Sequence, residues 1–156
     1  MSGHAVMGID EARAWLAETM IGSGRLRLEA VEDGRVVCTA GPDGLEQRPD
    51  GSVSGPALFW AADLTGFVAV NVLIGPTPAM VLAHSDISFL EPAEPGVLTV
   101  TAEVLKLASR SAVVDIRASD HRGRLVAAAT LHFALPSRAT RAALLNGRDQ
   151  VGISAI

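Results

Sequence analysis

The sequence predicts an α+β domain in which six antiparallel strands form one curved sheet around a single long, buried helix. Three observations carry this. The elements run helix, two strands, helix, four strands, with no alternation of strand and helix. Residues 55–75, GPALFWAADLTGFVAVNVLIG, are apolar on nearly every side of a helix, so they need cover all round. The turns between the last four strands (EPAEPG, ASR and DHRGR) are short enough for antiparallel neighbours.

With 156 residues the chain has the length of one domain, 1–156, and it shows no linker, internal repeat or low-complexity tract. A chain of this length buries about 68–70% of its unfolded surface, so neither a disulfide nor a metal is needed to hold it. Hydrophobic residues make up 49% of the chain and charged residues 19%, which points to a large core or to apolar surface hidden in an oligomer. A net charge of −4 leaves no broad basic field, so nucleic acid is not an expected partner. The lone Cys38 sits in the apolar run VVCTA and reads as a buried structural thiol. Four histidines and one cysteine show no metal-ligand spacing, no Gly-rich phosphate loop follows a strand, and Ser54-Gly55 does not lie in a G-x-S-x-G elbow. No metal and no cofactor are therefore expected. The first residues, MSGHAVMGIDEARAW, lack the basic start and apolar core of a signal peptide, and a cytoplasmic location is the expectation.

Residues 9–21 form a short amphipathic helix with Ala12, Trp15, Leu16 and Thr19 or Met20 on one face, ended by Gly22 and Gly24. Arg25–Val31 and Arg35–Ala40 are strands joined by an Asp33-Gly34 hairpin turn, and 41–53 is a loop rich in Gly, Pro and Asp. The central helix spans about 55–73, with Ser54 and Pro56 at its start and Gly75-Pro76 as its stop. It is long enough to cross a bilayer, but Asp63 near its middle would be costly in lipid, so it reads as a core helix with no membrane partner. Met80–Leu90, Val97–Leu107, Ser111–Ser119 and Leu125–Leu135 are the remaining strands. A tail, 137–156, follows, in which 137–146 begins with a helix-capping serine and the final residues fray.

Asp63 is the most informative residue. An ionised carboxylate in an apolar helix costs several kcal/mol unless paired or solvated. No Lys or Arg lies between residues 49 and 105, so no local ion pair can form along the helix. Asp63 either hydrogen-bonds a backbone amide or loop, or faces a cleft as a base or nucleophile. Ser54-Gly55-Pro56 is either a plain cap or a positive helix end able to bind an oxyanion or carbonyl oxygen. Ser54 and Asp63 are nine residues apart, about 13 Å along a helix, too far to act together on one carbonyl. If both act, they come from two antiparallel helices of a symmetric dimer.

These features resemble the hotdog-fold thioesterases of the phenylacetate-pathway (PaaI-like) group over roughly residues 20–135. Ser54-Gly55-Pro56 and Asp63 stand at the spacing of the family's H-G-G and the acid nine residues after its His. DISFLEPAEPG (86–96) matches its apolar-Pro-x-x-x-Gly strand end, and 100–135 matches its last three strands. The resemblance implies hydrolysis of an acyl-CoA or acyl-carrier-protein thioester, with the Gly55 amide polarising the carbonyl. The partner subunit's acid, Asp63, would act as nucleophile or general base. It also implies an acyl-CoA or CoA ligand and a homodimer, with pairing of dimers into a tetramer expected. The position seven residues before Gly55, often Asn or Gln in the family, is Arg48, with Gln47 adjacent. The family's polar partner on the next strand would fall near Leu82, and His84 is a substitute expected on the same strand face. Phe59, Trp60 and Phe67 are expected to line an acyl pocket. Arg110 matches a frequently basic family position for CoA phosphate, with Arg122, Arg124 and Arg138 as further candidates. Ser54 for His and Pro56 for Gly depart from the family pattern. They keep open a non-catalytic acyl- or CoA-binding protein, and a hydratase or dehydratase using His84 is a second alternative.

Overall fold

A computed structural model describes residues 4–19 and 25–150. Its elements are α1 (Ile9–Thr19), β1 (Leu26–Glu32), β2 (Arg35–Ala40), α2 (Gly55–Ile74), β3 (Val81–Phe89), β4 (Leu98–Leu107), β5 (Ser111–Ser119), β6 (Leu125–Ala134) and α3 (Arg138–Gln150). The expected strands all form, within a residue or so of the expected limits. The expected end of the first helix at Met20 and Ile21, its glycine stops and the frayed last residues lie outside the described residues. The tail carries a longer helix than 137–146, because the run after Pro136 holds no further proline to stop it.

The strands form one antiparallel sheet in the order β1-β2-β4-β5-β6-β3. β3 therefore lies at the far edge from β2, and α2 is the connection that crosses between them. Along β2, β4, β5 and β6 inward residues alternate with partly exposed ones, as one covered face requires. The covered face holds Val36, Cys38, Val100, Ala102, Val114, Ile116, Leu131 and Phe133 against α2.

Thirteen of the twenty residues of α2 are buried, so this helix is the core. Its one bilayer-length apolar run is thus accounted for by packing inside the protein. Gly66 allows the closest approach: a Cβ there would lie 2.9 Å from Leu131 Cδ1 and 3.2 Å from Phe133 Cε2. Burial leaves a strip of half-covered residues, Phe59, Trp60, Asp63 and Phe67, which recur at helical spacing. α1 covers part of this strip, with Trp15 stacked on Phe67 at a ring separation of 5.7 Å.

Both ends of α2 are closed by specific hydrogen bonds. Ser54 is the N-cap: its Oγ accepts from the Ala57 amide at 3.1 Å and its carbonyl from the Leu58 amide at 3.0 Å. At the other end Gly75 takes φ 87° and its amide donates to the Asn71 carbonyl at 2.7 Å. Fully buried Asn71 then fixes the exit: its Nδ2 donates to the Phe67 carbonyl at 2.8 Å, and its Oδ1 accepts from the Thr77 amide at 2.6 Å. Replacing Asn71 with Ala leaves the buried Thr77 amide without its acceptor. It is expected to lower unfolding stability by about 1–3 kcal/mol, measured by urea denaturation, with little change in the m-value.

Candidate active site

Asp63 sits on the half-covered strip of α2 and opens on a cavity of about 270 Å³ lined by Leu64, Phe67, Pro78, Met80, Leu82 and Phe133. Among the described residues it has no ion pair and no hydrogen bond. Burial in this apolar setting raises its carboxyl above the usual carboxylate range. The bland reading, a carboxylate tied to a backbone amide or loop, is therefore not what the structure holds. Thr65, two residues further on, is fully buried, and its Oγ1 donates to the Ala61 carbonyl at 2.7 Å.

The start of α2 is more selective than its sequence suggests. Of its first four amides, Ala57 and Leu58 donate to Ser54, and Pro56 has none. Among the described hydrogen bonds, only the Gly55 N–H is left without a partner. It lies at a second cavity, of about 360 Å³, lined also by Arg48, Leu58, Phe89, Leu90 and Glu91. The Phe89 ring stands 3.5 Å from where a Gly55 Cβ would be.

The two cavities share no lining residue, but both are walled by β3 and its flanks. Leu82 borders the Asp63 cavity at one end of the strand, and Phe89 borders the Gly55 cavity at the other.

The other candidates separate. Arg48, not Gln47, lines the Gly55 cavity. Gln47 makes a bridge with Val53 in the small hairpin 47–53, whose turn is closed by Gly51 N–H donating to the Arg48 carbonyl at 2.8 Å. Phe67 lines the Asp63 cavity, whereas Phe59 and Trp60 line neither of the two cavities. The Trp60 ring instead lies beneath the Arg25 guanidinium, 4.6 Å from its centroid.

His84 is a correction. The register of β3 against β6 shifts between Leu82 and His84, so a bulge turns His84 to the opposite face from Leu82. There it is exposed and meets His132 edge to face at 5.5 Å. Arg110 is exposed on the β4–β5 turn, where its Nε donates to the Leu135 carbonyl at 3.2 Å. Arg122 and Arg124 are committed to carboxylates: Arg122 to Glu94 at 3.1 Å, and Arg124 to Asp120 at 2.9 Å and Glu94 at 3.5 Å. No group of three or more His, Cys, Asp or Glu among the described residues is placed to hold a metal.

Against this geometry the comparisons are informative. The model of the thioesterase superfamily matches residues 50–127, which span α2, β3, β4, β5 and the start of β6. The chain belongs to that superfamily. A search of curated proteins found no match. Among solved structures, a thioesterase candidate from Silicibacter sp. TM1040 is 26% identical, aligned over 87% of this chain and 96% of its own with a TM-score of 0.79. The PaaI protein of the phenylacetic acid degradation operon of Escherichia coli is 21% identical over 83% of this chain and 97% of its own, at 0.69. A hypothetical thioesterase from Streptococcus pneumoniae, solved with coenzyme A, is 24% identical over 73% of this chain and 88% of its own, at 0.63. The fold is the hotdog fold.

Two measurements check the electrostatics. Burial pushes the Cys38 thiol up to about 12, so Ellman's reagent at pH 8 should leave the folded protein unlabelled and react only after denaturation. For Asp63, a folded-state value above the unfolded one means that the native protein binds the proton more tightly. Its favourable contribution is thus complete at acid pH and is lost as pH rises through the raised value. Asp63→Asn removes that loss. The variant should melt above the wild type at pH 7, with the gap closing as pH falls towards the ordinary carboxylate range.

Proposed function

We propose that this protein is an acyl-CoA thioesterase that acts at two equivalent sites across a homodimer. The observation that carries the proposal is the division of the two functional groups. An unpaired, desolvated carboxylate and a lone free helix-start amide face separate cavities at opposite ends of the same exposed edge strand.

β3 has no neighbour on its outer side among the described residues, and Val81 and Phe89 are more than half exposed. Such an edge favours pairing with another strand. Antiparallel pairing of β3 with the β3 of a second copy sets the Leu82 end of one strand beside the Phe89 end of the other. The Asp63 cavity of one subunit then faces the Gly55 cavity of its partner. This meets the spacing limit, since neither helix has to supply both groups to one carbonyl. The apolar excess of the chain is consistent with further pairing of such dimers.

In the reading proposed, the Gly55 amide donates to the thioester carbonyl oxygen. Asp63 of the other subunit takes a proton from water, and the resulting hydroxide attacks the carbonyl carbon. The tetrahedral oxyanion collapses, the C–S bond breaks, and the departing thiolate receives the proton from Asp63. Products are a carboxylic acid and a free thiol. The raised proton affinity of Asp63 suits a general base. Arg48 at the Gly55 cavity is positioned to meet an anionic or carbonyl group of the substrate, and the aromatic Phe67 forms part of the acyl wall. The expected setting is the cytoplasm.

A second reading has its own observation. With Pro56 in place and Ser54 Oγ spent on capping, α2 offers one donor where an oxyanion hole ordinarily has two or more. That favours a protein that binds acyl-CoA without turning it over. The hydratase alternative has no such support, because His84 points away from the Asp63 cavity of its own chain.

A free-thiol assay across acyl-CoA chain lengths separates these readings. Thiol release by the wild type, reduced by roughly 10²–10⁴-fold in Asp63→Ala with an unchanged circular dichroism spectrum, is the expected result. Equal turnover by the variant overturns the assignment of Asp63. Thermal stabilisation by acyl-CoA without thiol release favours the binding protein.

A further inference from the structure

We propose that a third cavity, at the C-terminal end of α2 beneath α3, holds the phosphorylated nucleotide end of the CoA substrate, with Arg138 and Arg141 as its phosphate ligands. This rests on the CoA-thioester reading above and deepens it, since a carrier-protein substrate has no nucleotide to place there.

The cavity measures about 640 Å³, more than either of the cavities at Asp63 and Gly55. That is a volume suited to a drug-sized ligand and far beyond what a lone inorganic anion fills. Its walls are apolar, formed by Ile74, Pro76, Leu107 and Leu135, and among the described residues its charged lining consists of Arg138 and Arg141. Among the described residues no carboxylate lines it, although the chain as a whole carries a net charge of −4. Neither arginine has an ion-pair partner among the described residues. Arg122 and Arg124, by contrast, are engaged by Glu94. Arg141 is half-buried, so its charge is less well solvated than that of a free surface arginine. An apolar wall beside two uncommitted guanidinium groups complements a base stacked on the wall and phosphates at the rim.

Position supports the same occupant. Pro76 and Thr77 line this cavity and Pro78 lines that of Asp63, so only the short α2–β3 connection separates the two. Ile74 stands eleven positions after Asp63 in the same helix, about 17 Å along the axis. The arm of CoA between sulfur and pyrophosphate has the length of an extended chain of four to five residues, roughly 15 Å. A thioester at Asp63 can therefore place its nucleotide in this cavity.

Calorimetry with adenosine 3′,5′-bisphosphate, comparing wild type with Arg138→Gln/Arg141→Gln, tests the site without reference to catalysis. Wild-type binding that weakens at least ~tenfold in the double variant, and weakens with added salt, is expected. Equal affinity in both proteins, or none in the wild type, overturns the site. Cation-dependent binding of octanoate without binding of the nucleotide also overturns it, because the cavity is then a fatty-acid site. Kinetics add a second arm: KM for an acyl-CoA should rise ~tenfold in the double variant with kcat maintained, while the same acyl group on N-acetylcysteamine is hydrolysed as by the wild type. An acyl-CoA KM that does not move refutes the nucleotide site and leaves the hydrolase reading intact. Nucleotide binding through both arginines without hydrolysis of any thioester does the reverse. An unchanged melting temperature in the double variant excludes a folding defect.

Discussion

A helix with no polar stripe has to be covered on all sides, and most of this protein is organised to cover α2. The sheet curves because five of its strands, β2 to β6, must reach the same cylinder, and Gly66 removes a side chain where Leu131 and Phe133 press closest. The N-terminal segment adds to the cover, with the Val6 and Met7 amides both donating to the Val72 carbonyl. What remains uncovered is the strip that carries Asp63. A carboxylate is tolerated on such a helix only where its cover is incomplete, so the fold and the candidate site follow from one constraint.

The same constraint sets the electrostatics. Asp63 has no ion-pair partner among the described residues and is partly desolvated, which raises its affinity for a proton and costs the folded state stability at neutral pH. At the β5–β6 turn, buried Asp120 accepts from the Arg122 and Arg124 amides and from the Arg124 guanidinium. By contrast, Asp63, Arg138 and Arg141 have no ion-pair partner among the described residues. Stability is given up at Asp63, where burial acts on the carboxylate with no partner to offset it.

The structure also divides labour along β3. A single strand borders both cavities, and its outer edge is free. The helix start supplies one donor, because Ser54 uses its hydroxyl to cap the helix and Pro56 contributes none. The departures from the family's usual residues therefore have a structural meaning. They leave the helix start capped by Ser54, with Gly55 as its one amide without a described partner.

The sequence by itself determined the order and nature of the elements, the limits of α2, and Asp63 and Gly55 as the groups to examine. Those depend on local causes: side-chain period, the Ser54 cap, the Gly75 stop, and the absence of cations near the helix. Tertiary structure alone decided three further things. The bulge after Leu82 turned His84 away from the face that simple alternation assigns to it. The small hairpin 47–53 presented Arg48, not Gln47, to the Gly55 cavity. The end of α2, the β4–β5 turn and α3 together line a cavity with residues more than sixty positions apart in the chain. Each of these is set by hydrogen-bond register or by contact between distant segments, and neither leaves a mark on the residue pattern of a single element.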